Sequence, residues 1–151
     1  MADIVTFKKT DSKILIELYH LKFAKYNKPS KKTGKRSLSA SITNLYEVCG
    51  QAQKSVRWKF KESREVFEHL FKRKIKRLDG EECPRIEKGT EDQLKEIMQL
   101  AKQKLPVEFK IYVVQPAIQK SKLEQEHLEI LAVTENYLKA KGIALEIIGS
   151  E

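Results

Sequence analysis

The stretch Ile14-Leu15-Ile16-Glu17-Leu18-Tyr19-His20-Leu21-Lys22 decides how this chain is read. Its apolar, β-branched and aromatic residues mark a strand. Side chains alternate faces along a strand, so His20 and Lys22 point the same way. An imidazole and an ammonium two residues apart on a buried strand are costly unless they serve a site. Upstream, Ile4-Val5-Thr6-Phe7 reads as a short strand and Lys9-Thr10-Asp11-Ser12 as the turn between the two. A symmetric closure sets Phe7 opposite Ile14, Val5 opposite Ile16 and Asp3 opposite Leu18. That register collects one apolar face and leaves Asp3 diagonal to His20, so Asp3, His20 and Lys22 are expected to converge at one end of the hairpin.

Downstream, Ser39 or Ser41 is suited to cap a helix reaching about Trp58. Ile42, Leu45, Tyr46, Cys49, Ala52 and Val56 follow its apolar period, while Glu47, Gln51, Lys54 and Ser55 lie along another face. Val66, Phe67, Leu70, Phe71, Ile75 and Leu78 mark an amphipathic helix from about Glu62 to Arg77, ended by Asp79-Gly80 and followed by loop to Gly89. Thr90-Glu91-Asp92-Gln93 is a capping box, opening a helix that Pro106 closes. Val107 to Val114 is apolar at nearly every position, as a central strand is, and Gln115-Pro116 ends it. Ser121-Lys122-Leu123-Glu124 is a second capping box, for a helix to Lys141 with Gly142 as its C-cap. The last strand runs from Ile143 to Ile148. The order β-β-α-α-α-β-α-β predicts an α/β fold, a mixed sheet of about four strands flanked by helices, with the final strand-helix-strand unit parallel.

The chain has 151 residues, enough for one domain with a substantial core, and the expectation is a single domain over the whole length, drawn from a longer protein. No apolar run approaches a membrane span and Met1-Ala2-Asp3 opens no signal peptide, so the expected setting is cytoplasmic. Cys49 and Cys83 form no CxxC pair and read as reduced structural thiols, and His20, His69 and His127 have no zinc-ligand spacing. The net charge of +9 is uneven: residues 1–77 hold twenty Lys/Arg against seven Asp/Glu, residues 78–151 ten against fourteen. A basic half of this kind is the footprint of a polyanion-binding surface. Its densest part runs from Lys25 to Arg36, with Lys25, Lys28, Lys31, Lys32, Lys35 and Arg36 and no acid. Lys31-Lys32-Thr33-Gly34-Lys35-Arg36-Ser37 lacks the first glycine of a nucleotide-binding P-loop, which excludes that reading. The segment is expected to grip the phosphate backbone of DNA, with Lys54 beside it.

Phosphodiester hydrolysis needs a divalent cation, and a lysine that stabilises developing charge. An Asp on one strand and a ligand-x-Lys pair on its neighbour deliver both. In Asp3 and His20-Leu21-Lys22 the chain resembles the PD-(D/E)xK, restriction-endonuclease-like nucleases, with His20 where the family carries a carboxylate. Gln51, in Tyr46-Glu47-Val48-Cys49-Gly50-Gln51-Ala52-Gln53-Lys54-Ser55, matches the glutamine that several branches place on the following helix. The whole chain also looks like the C-terminal nuclease-like segment of some large bacterial helicase or phage-defence proteins. The resemblance implies a restriction-endonuclease-like sheet and a metal-dependent DNA endonuclease. It would use Asp3, His20, Lys22 and Gln51 in catalysis, with Asp3 and His20 holding Mg²⁺ or Mn²⁺. Imidazole suits softer divalent ions better than Mg²⁺. The rival expectation is an inactive, nuclease-derived DNA-binding module acting with a fused or partner helicase. A protein-interaction domain stands third. Glu17 faces away from His20 and is read as paired with a lysine. Trp58 and Phe60 are read as anchors of a helix junction.

Overall fold

The computed structural model describes residues 2–23, 41–73 and 77–150. The expected sheet is present. It has four strands in the order β1-β2-β5-β6: β1 Ile4–Lys9, β2 Ile14–Leu21, β5 Val107–Gln119 and β6 Ala144–Ser150. Between β2 and β5 come α1 Ile42–Ser55, α2 Ser63–Phe71, a small antiparallel pair β3 Arg77–Leu78 and β4 Glu81–Glu82, and α3 Glu91–Lys102; α4 Gln125–Ala140 links β5 to β6. β5 and β6 are parallel, with Ile111 beside Leu145 and Val113 beside Ile147. The Ile14 amide donates to Pro106 and the Lys22 amide to Val114, an equal advance on both strands, so β2 and β5 are parallel as well. The sheet is therefore mixed, and β5 is central as its apolar run implied.

The hairpin register differs from the expected one. The Thr10 amide donates to the Lys13 carbonyl, leaving Asp11-Ser12 as a two-residue loop. Thr6 and Glu17 bond across the strands (2.7 Å). Pairing is thus displaced by two residues, which preserves the faces because the side-chain period is two. At the far end the Asp3 amide donates to Tyr19 (3.0 Å), one residue beyond the expected Leu18. The Thr10 hydroxyl, which bonds the Lys13 carbonyl at 3.0 Å, supplies the local chemistry that fixes the shorter loop.

The chain forms two compact units, residues 1–6, 17–57 and 109–151 in the first, and 7–16 and 58–108 in the second. In the first, Leu45, Val48, Cys49 and Ala52 of α1 are buried, as are Leu131, Thr134 and Leu138 of α4, and these two helices pack together. Gln53 donates to the Thr134 hydroxyl (3.1 Å), which in turn donates a hydrogen bond to the Ile130 carbonyl (2.8 Å), so these polar atoms are satisfied. Ser41 stands at the N-cap of α1, as one of its two expected sites, but makes no side-chain cap bond. Burial raises the pKa of the Cys49 thiol against a hydrogen bond with Thr134, and both cysteines are free.

In the second unit α2 packs on α3, and the Phe7 and Phe67 rings stack at 5.2 Å. The Thr90 capping box is present: its hydroxyl accepts from the Gln93 amide (3.2 Å), and the Gln93 side chain accepts from the Thr90 amide (2.9 Å). Asp79-Gly80 is not a helix end followed by loop. Both residues have positive φ, 52° and 89°, and turn β3 into β4, the conformation an Asp-Gly pair is suited to. Trp58 is buried against His69, their ring centroids 4.7 Å apart, whereas Phe60 is 67% exposed and anchors nothing.

Candidate nucleic-acid interface

β2 buries Ile14, Ile16, Leu18 and His20 on its inner face, so the apolar alternation carries the imidazole into the interior at the strand's end. His20 is 2% exposed, and its Nε2 has no hydrogen-bond partner among the described residues. Burial lowers its pKa to about 4, against the neighbouring Asp3 charge, which raises it. The ring is therefore neutral at physiological pH. Asp3 is exposed, and its Oδ2 accepts the Leu21 amide (2.9 Å), which ties this carboxylate to the backbone beside His20.

Lys22 follows the strand. Its amide is held by the Val114 carbonyl (3.1 Å) and its ammonium is paired with Glu47 on α1. The next residue of β5, Gln115, is fully buried, with neither amide atom paired among the described residues.

On α1, Tyr46, Gly50 and Lys54 are spaced one turn apart, and so are Glu47, Gln51 and Ser55, which makes two adjacent rows on one helix face. One cavity, of about 280 Å³, is lined by His20, Gln51, Lys54, Ser55 and Arg57. A second, of about 420 Å³, is lined by Lys22, Tyr46, Glu47, Gly50, Gln51 and Lys54. Gln51 and Lys54 line both. The first brings two cations, an amide and a hydroxyl together beside His20 with no carboxylate among its lining residues, a set suited to an oxyanion.

His20, Lys22, Gln51 and Lys54 thus surround two cavities, and Asp3 stands beside His20 without lining either. Lys25, Lys28, Lys31, Lys32, Lys35 and Arg36 lie outside the described residues. Glu17 is 2% exposed and accepts from Thr6 (2.7 Å) and from Tyr112 (3.0 Å). Tyr46, expected on the apolar face of α1, is 70% exposed and belongs to the site. Arg57 and Glu47 were not expected there. The i,i+4 spacing from Gln51 points to Glu47, whereas Arg57 lies past the end of α1 and has no such signal.

Asp3 and His20 are the two donors that the resemblance assigns to a divalent ion. The unpaired, buried and neutral imidazole nitrogen of His20, with the Asp3 charge near it, is a donor type that suits Mn²⁺ better than Mg²⁺. Among the described residues no group of three or more His, Cys, Asp and Glu side chains is placed to hold a metal. Ions that work on phosphates commonly take only one or two protein donors and fill the shell with water and substrate oxygen. No family model matches the chain, and neither does any curated protein or solved structure. Among the described residues no helix is long and apolar enough to cross a membrane.

Proposed function

We propose that the chain is a DNA endonuclease domain of restriction-endonuclease-like architecture, dependent on a divalent metal. The observation that carries this reading is the grouping at the end of β2: the Asp3 charge beside the unpaired His20 nitrogen, Lys22 two residues on, and Gln51 shared by the cavities that His20 and Lys22 line. The antiparallel hairpin, a helix, and a return to a strand parallel with β2 agree with it. Asp3 and His20 would hold the ion, which when bound polarises the phosphate and supplies a nucleophilic water at neutral pH. Lys22 stabilises negative charge on the phosphate once its ammonium exchanges Glu47 for substrate. Gln51 orients water or phosphate through its amide. Lys54 and Arg57 neutralise backbone charge, a contribution independent of sequence.

A second reading, a non-cutting module that holds DNA for a fused or partner helicase, is favoured by the Lys22–Glu47 ion pair, which engages the one ammonium the chemistry calls for. Plasmid cleavage with Mg²⁺ and Mn²⁺ separates the two. The expected result is nicking that is faster in Mn²⁺, and lost in Lys22→Ala and in Asp3→Ala. Salt-sensitive DNA binding without cleavage in either metal selects the module. Absence of binding at low salt sinks both readings.

A further inference from the structure

The larger cavity has a feature that phosphate binding does not use. Tyr46 stands on its wall with 70% of its surface exposed, while its neighbour Leu45 is 1% exposed in the core. One turn along α1 is Gly50, where an added Cβ would meet nothing within 4 Å. Among the described residues, the helix surface at Gly50, one turn from Tyr46, is therefore uncovered. Glycine inside a helix destabilises it by roughly 0.5–1 kcal/mol relative to alanine, and among the described residues no close packing requires it. Lys22 and Lys54 add ammonium groups to the wall, and Gln51 an amide able both to donate and to accept.

Glu47 lines the same cavity. A carboxylate repels a phosphate but tolerates a neutral ring, and the adjoining cavity has no such group. The two spaces thus differ in chemistry: donors and cations in the smaller, an aromatic face with an amide in the larger. Successive parts of one nucleotide strand differ in the same way.

We propose that the larger cavity receives an unpaired nucleobase stacked on Tyr46, so that this site engages single-stranded nucleic acid. The proposal rests on the nucleic-acid reading above and adds strandedness to it. Bases within a duplex are stacked on each other and turn only their edges outward, whereas an unstacked base presents a π-face to an exposed aromatic ring. Phe23, 75% exposed and one residue beyond Lys22, adds a second uncovered ring to the same stretch of chain. The opening over Gly50 gives the base room, and Gln51 offers hydrogen bonds to its edge without selecting one base strongly.

Fluorescence anisotropy on the full chain tests this, with EDTA present to prevent cleavage. The probes are a labelled single-stranded oligonucleotide, the same strand in a duplex, and the same strand carrying abasic sites. The single strand is expected to bind at least about tenfold tighter than the other two. Tyr46→Ala should lose about five- to a hundredfold for the single strand alone, and Tyr46→Trp should restore it. Tyr46 is exposed, so the variants are expected to melt as the wild type does. Equal binding of single strand and duplex overturns the base slot while leaving nucleic-acid binding intact, and so does indifference to Tyr46→Ala. Failure of every probe to bind at low salt overturns the nucleic-acid reading itself, and the slot with it.

Discussion

His20 gives the most direct measurement at the scale of one residue. Its folded pKa, about 4, is below the ordinary histidine value of 6.5, first because burial penalises the charged ring. Between those values the unfolded chain binds the proton and the folded chain does not, so stability rises with pH across this window. The stabilising difference is fully present above about pH 6.5 and is lost as the pH falls toward 4, an interval worth on the order of 3 kcal/mol. Denaturant unfolding at a series of pH values, wild type against His20→Gln, should show a steeper acid loss in the wild type. Parallel curves would mean that the ring is hydrated in solution. The same burial leaves Nε2 without a hydrogen-bond partner among the described residues.

At the scale of elements, what was legible in the sequence followed local rules. Thr90 is the clearest case: a hydroxyl three residues before a glutamine satisfies both ends of the cap, and the structure forms both bonds. Thr90→Ala should therefore cost about 1 kcal/mol, read as a lower midpoint in chemical denaturation, whereas Thr90→Ser should cost much less. An unchanged midpoint in Thr90→Ala would show that α3 needs no cap. The apolar run of β5 marked the inner strand for the same reason, whereas the expected cap at Ser121 is replaced by one at Glu124, whose amide donates to His127 Nδ1 (3.3 Å), because Lys120–Lys122 form a short 3-10 turn. Missed features were those in which two local rules compete or in which partners are distant in sequence. Asp79-Gly80 serves equally as a helix stop and a hairpin turn, and only the pairing of Arg77 with Glu82 decides between them. Pro116 signals a strand end, yet β5 continues to Gln119, across an irregularity in its pairing with β6. Tyr46 sits at the edge of the apolar stripe of α1, where periodicity alone does not separate core from cleft. Of the candidate residues, His20 and Lys22 at the end of β2 and Gln51 on its helix face follow from strand alternation and helix period, whereas Asp3, in a shifted register, lines neither cavity. Glu47 shares that helix face, but its pairing with Lys22, 25 residues away in sequence, has no local signal.

For the whole molecule the governing quantity is charge. The chain carries +9, and the excess belongs to residues 1–77, which also supply Lys22, Lys54 and Arg57 to the cavities. Exposed cations contribute little to folding, since surface ion pairs are worth about 0–1 kcal/mol and are screened by salt. Their effect on a polyanion is different, because each neutralised phosphate releases condensed counterions. Single-strand affinity should therefore fall with salt on a log-log plot, by roughly 0.7 in slope per phosphate contacted. Lys54→Ala should lower that slope by about 0.7 and weaken binding to all sequences alike, because a lysine–phosphate contact carries no base information. Tyr46→Ala should weaken binding without changing the slope, because stacking releases no counterions. A titration over several salt concentrations with both variants thus separates the electrostatic component from the aromatic one. A wild-type affinity insensitive to salt would remove the polyanion as partner, and the basic half of the chain would then need another explanation.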